Sequence, residues 1–194
     1  MLASIHPLGE RARHQRFAVT VIAYALGSVL GAAALGAVLG WLGRFAFGSS
    51  IPTRAAVLAG SATVAVVVDR AHLPIPSWRR QVNEDWLAEL RGAIYGFGFG
   101  AQLGLGVVTI VTTASVYLTW IAATTTANLV VGAIVGAAFG FARALPVMLS
   151  TRVRSPADIA ARVRILHSWD SIFGRVTVVS EAVVAFLAFV VAVQ

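Results

Sequence analysis

The sequence predicts an all-α, polytopic integral membrane protein of about five transmembrane helices, with one or two interfacial amphipathic helices, in an N-in/C-out arrangement. Three observations carry that prediction. Hydrophobic residues make up 58% of the 194 positions and charged residues only 12%, against ~25% charged in a soluble domain, so the surface cannot be solvated by water throughout. Five spans of about 20 residues would consume roughly 100 positions, close to the apolar residues on hand. The arginines, finally, sort to one side of such a bundle, as counted below.

Residues 1–16 form a polar, basic, cytoplasmic N-terminus, and 17–194 read as a single membrane domain. Arg11, Arg13 and Arg16 precede an apolar run at 17–43, far longer than the 7 to 15 residues of a cleavable signal core, so it is taken as a retained first span. Gly48, Ser49, Ser50 and Pro52 lead into a short second span at 54–68 that ends before Asp69 and Arg70. A polar segment, 71–91, follows; Trp78 and Trp86 lie two helical turns apart among charged residues, the pattern of an interfacial helix. The third span, 92–121, would measure about 45 Å as one straight helix, beyond the ~30 Å of hydrocarbon, so it must protrude, tilt or break. A fourth span covers 127–148, with Pro146 near its end. A second interfacial segment occupies 150–175, and a fifth span covers 176–193.

With the N-terminus inside, twelve of the fifteen arginines fall in cytoplasmic segments, Arg44 and Arg54 lie outside, and Arg143 lies within the fourth span. That is the positive-inside bias. The formal charge of +7 is thereby explained without a nucleic-acid partner. The partner it implies is the lipid bilayer, with anionic headgroups a further candidate; a homo-oligomer or a larger membrane complex is the protein partner expected. The bacterial cytoplasmic membrane is the expected location.

Glycines recur every fourth residue: Gly27 and Gly31, then Gly36 and Gly40, in the first span; Gly92, Gly96, Gly100 and Gly104 in the third; Gly132, Gly136 and Gly140 in the fourth. Such faces let helix backbones approach closely, within one subunit or between copies. Charge inside a span costs about 2.5–3.5 kcal/mol even on the mildest scale. Arg143 and Glu181 sit at similar depth by counting from the same side, so an ion pair between the fourth and fifth spans is one reading; a snorkelling arginine and a protonated glutamate are the other. Gln102, Thr109 and Thr112 in the third span either line a hydrated path or bond within and between helices. Asp69 and His72 are three apart but lack further ligands at metal spacing. The chain has no cysteine, which excludes thiol redox chemistry and disulfides. No catalytic motif, cofactor motif or metal site is found, and no enzymatic activity is expected.

The run from Phe97 through Gly98, Phe99, Gly100, Ala101, Gln102, Leu103, Gly104, Leu105 and Gly106 to Thr109, followed by Tyr117 and Leu118, resembles the glycine-rich helix of the transmembrane family that includes the cytochrome c biogenesis protein CcdA and the membrane domain of DsbD. The fourth span's ending, Arg143, Ala144, Leu145, Pro146, is similar to that family's Gly-Leu-Pro-like run. The resemblance implies packed, broken helices around a central site. Thr109 stands where the family's reactive cysteine would lie and Val108 replaces the preceding proline, so its thiol chemistry is not available to this chain. A small-solute or ion transporter or channel is the function expected, and a non-catalytic scaffolding or assembly subunit the alternative.

Overall fold

In a computed structural model of the chain, residues 16–77, 91–106, 111–148, 164–165 and 168–194 are described. All regular structure among them is helical: α1 (Phe17–Phe47), α2 (Ile51–Arg70), α3 (Gly92–Leu105), α4 (Ser115–Thr125), α5 (Leu129–Met148) and α6 (Asp170–Ala192). Four of these, α1, α2, α5 and α6, are long and apolar enough to cross a membrane. The N-terminal segment to residue 15, the helix expected around Trp78 and Trp86, Thr109, and most of the expected interfacial segment 150–175 lie outside the described residues.

Local chemistry explains the boundaries. Gly48, at φ 54°, ends α1; Ser50 caps α2, its Oγ accepting from the Thr53 N–H, with Pro52 in the first turn. That start lies ahead of Arg54, so α2 is a 20-residue helix instead of the short span expected. Asn128 opens α5 by accepting the Val130 and Val131 N–H groups on its Oδ1, as an N-cap should. The third apolar run extends past residue 121, since α4 continues to Thr125, and the turn into α5 falls at 126–128, where Ala127 takes a positive φ of 47°. The final described helix, α6, starts at Asp170, six residues before the expected position, so 170–175 belong to it and not to an interfacial segment.

The long third apolar run breaks. α3 ends at Leu105 and Gly106 takes φ 71°, a left-handed backbone that costs a side-chain-bearing residue but not glycine. The chain resumes as α4 only after Ala114.

α1 is the central element, with α3 and α5 pressed on it backbone to backbone. Gly96, Gly100 and Gly104 of α3 meet Thr20, Tyr24 and Ser28 in turn, so α3 runs parallel to α1. Gly132, Gly136 and Gly140 of α5 meet Gly36, Ala32 and Ser28, so α5 runs antiparallel. The two glycine pairs of α1 therefore serve different neighbours. Gly27 and Gly31 face Phe97 and Ala101 of α3, whereas Gly36 and Gly40 face Gly132 and the Asn128 carbonyl at the start of α5. The pairs differ in closure as well: Gly27, Gly36 and Gly40 are buried, while Gly31 is half-buried, at the edge of the α3 contact. Gly92 is buried at the first turn of α3. A Cβ at Gly36 or Gly132 would overlap the other's carbonyl oxygen, which is why the approach requires glycine on both sides. The Ser28 hydroxyl, fully buried, donates to the Gly140 carbonyl at 2.7 Å. α4 continues the direction of α3 until Thr124 reaches Gly43 of α1. α2 and α6 form a second layer: α2 lies on α4, and α6 lies along α2 through Val184 and Ala185 against Ala62, Ala65 and Leu118.

Candidate functional site

The break between α3 and α4 is where polar groups collect. α2 holds both ends of α4 with its two charged ends. At one end the Arg54 Nη1 donates to the Thr126 carbonyl at 3.0 Å. At the other, the Asp69 Oδ1 accepts the Ala114 N–H at 2.8 Å. A cation at a helix C-terminus and an anion at its N-terminus both oppose the helix dipole, so α4 is held in register by charge as well as by contact.

The second acid comes from α6. Glu181 is 1% exposed, and its carboxyl lies within hydrogen-bonding reach of the Asp69 carboxyl. It is the twelfth of the 23 residues of α6, about 16 Å from that helix's first residue, so the middle of α6 meets the last turn of α2. Among the described residues, neither Glu181 oxygen nor the Asp69 Oδ2 has a hydrogen-bond donor. Thr113 and Ser115, whose hydroxyls bond each other at 2.7 Å, flank the same break. After α2 the chain turns at His72, φ 52°, and folds back so that the Tyr117 hydroxyl donates to the Pro76 carbonyl. Between α2, this returning stretch and α4 lies an open apolar groove of about 590 Å³, lined by Gly60, Val64, Val68, Ile75, Ala114 and Tyr117 among others. The arrangement can bind a proton or a small cation at the carboxyls and an apolar body in the groove.

The sequence candidates distribute as follows. Glu181 is at this site. Arg143 is not: it stands beside Tyr24 and 5.5 Å over the Phe139 ring, so the expected Arg143–Glu181 ion pair is replaced by Glu181 against Asp69. Equal depth is the ground for pairing them, but α5 lies on α1 while α6 lies on α2, and depth carries no information about bearing around the bundle. Gln102 is half-buried on α3, and Thr112 is exposed in the connection. No group of three or more potential metal ligands occurs among the described residues.

The sequence weighs Asp69 only as a metal ligand with His72 and does not anticipate its place beside Glu181. The signal is present: the buried alanines Ala55, Ala59, Ala62 and Ala65 define a stripe at helical spacing that continues to position 69. The stripe 181, 184, 185, 188 on α6 faces it.

Fold and site together define a protein of long apolar helices, all-helical among the described residues, with one interrupted helical run and a buried glutamate beside a half-buried aspartate. Its relatives are proteins named methylamine utilization protein MauF. The chain is 31% identical over 140 residues to that of Methylophilus methylotrophus, covering 70% of this chain and 48% of the relative. It is 30% identical over 154 residues to that of Paracoccus versutus, covering 77% and 56%. The chain thus spans about half the length of these relatives. No family model and no solved structure matches the chain. These findings overturn the resemblance to CcdA and DsbD: the glycine runs that carried it are α1-packing faces, a feature that close helix contact alone produces.

Proposed function

We propose that this chain is a membrane component with an accessory part in methylamine utilisation, and that it passes a small solute or ion through the bundle at the α3/α4 break. The relatives' names support the first half. The second half rests on one observation: beyond the interruption at Gly106, the start of α4 is met by Asp69, whose carboxyl lies beside that of the buried Glu181. Interrupted backbone at membrane depth persists only where protein buries it or it lines a polar cavity, and ionisable groups there mark pathways by default. On this reading the chain crosses the cytoplasmic membrane of a bacterium five times, N-in and C-out. α3 and α4 together make the third crossing, parallel to the first. It acts without catalysis of its own.

The test is uptake of labelled methylammonium into proteoliposomes containing the full chain. Protein-dependent uptake that falls several-fold in Gly60→Trp, which fills the groove, is the expected result; uptake equal to that of empty vesicles overturns the transport half. A scaffolding subunit is the second reading, favoured by the outward apolar face of α6, where Val179, Phe186 and Phe189 are each more than half exposed. Stoichiometric co-purification of other membrane proteins, together with absent uptake, would establish it.

A further inference from the structure

We propose that Asp69 and Glu181 form a proton-binding site, with a single exchangeable proton held on Glu181 and donated to the Asp69 Oδ2. This goes beyond the transport reading and does not depend on it, because a proton can be held there whether or not a solute crosses.

Two carboxylates offer only acceptors, yet these approach within hydrogen-bonding reach. One proton converts that approach from repulsion between like charges into a bond, as in other paired carboxyls. The geometry also says which acid keeps it. Asp69 Oδ1 already accepts the Ala114 N–H at the start of α4, where the helix dipole favours negative charge. Glu181, 1% exposed, has no donor on either oxygen among the described residues, and an unpaired buried charge is the most costly state open to it.

Nor, among the described residues, do the surrounding elements supply a neutralising cation. α4 contains no charged residue. On α2, Arg54 is engaged at Thr126 at the far end, and Arg70 is exposed. His72 is exposed and meets Asp69 only through its backbone N–H. On α6 itself, Asp170 and Arg175 are both exposed.

Infrared difference spectroscopy of the full chain in lipid nanodiscs reads such a proton directly. At neutral pH a protonated-carboxyl C=O band is expected that Glu181→Gln removes and Asp170→Asn leaves in place. Carboxyls that share a proton titrate as a pair, so Asp69→Asn should move the midpoint at which the band bleaches. Absence of the band in the unaltered protein, its survival in Glu181→Gln, or an unmoved midpoint in Asp69→Asn would each overturn the proposal. Dicyclohexylcarbodiimide, which couples to protonated carboxyls in apolar surroundings, provides a readout without variants: peptide mapping should find Glu181 modified at neutral pH and spared at alkaline pH. Glu181 unmodified at every pH counts against the site. Neither readout measures flux, so uptake of methylammonium can fail while the proton site stands.

Discussion

The two layers of the molecule are held together by opposite means. In the layer formed by α1, α3 and α5, glycines bring backbones into direct contact, and the buried Ser28 hydroxyl donates to the Gly140 carbonyl. In the layer formed by α2 and α6, contact is through alanine and valine side chains, and α6 buries only Glu181 and Ala188. Lipid tails are as apolar as the side chains they replace, so helix association in a bilayer relies on close van der Waals packing or on polar bonds. The first layer uses the former; α2 adds the latter, through Asp69 and Arg54 at the two ends of α4. The proposed proton on Glu181 would act in the second layer.

Variants can break this contrast in order of expected effect. Gly36→Leu or Gly132→Leu drives a side chain into the opposing backbone, and its cost should lie at the top of the ~1–3 kcal/mol range for overpacking, read as a loss of resistance in a detergent unfolding titration. Asp69→Ala leaves the Ala114 N–H and Glu181 without their partner, and should cost about 2 kcal/mol, the middle of the range for an unsatisfied buried group; amide hydrogen exchange should rise at the start of α4 and remain unchanged along α1. Ser28→Ala removes one bond within the tight layer and should cost ~1 kcal/mol in the same titration. Gly60→Ala meets no atom within 4 Å, and should stabilise α2 by about 0.5 kcal/mol through backbone entropy. If Gly60→Ala proved as damaging as Gly36→Leu, the distinction between the layers would fail.

Much of this organisation was legible in the sequence, and what was not has a physical reason. Hydropathy locates the helices because burial in lipid is a property of a segment read by itself. The excessive length of 92–121 already required that it protrude, tilt or break, and Gly106 is where the break occurs. The four-residue glycine spacing marked faces of close approach, although it could not say whose backbone would fill them: Gly31 and Gly40 look alike in the sequence, yet one turns to α3 and the other to α5. The acid pair was hidden for a different reason. Asp69 looked like the polar end of a short second span, and only the packing of α6 along α2 brings it beside Glu181. Contacts between residues so far apart in the chain are set by topology, which one-dimensional periodicity does not encode.

That separation also bears on biosynthesis. Asp69 emerges from the ribosome 112 residues ahead of Glu181, an interval of roughly ten seconds at common elongation rates. During that time α4 can already dock its Ala114 amide on the waiting carboxylate, so the acid is inserted as the cap of one helix before it becomes the neighbour of another. α6 then joins a bundle whose polar socket is already built, and a chain truncated before α6 would expose that socket to the quality-control machinery of the membrane.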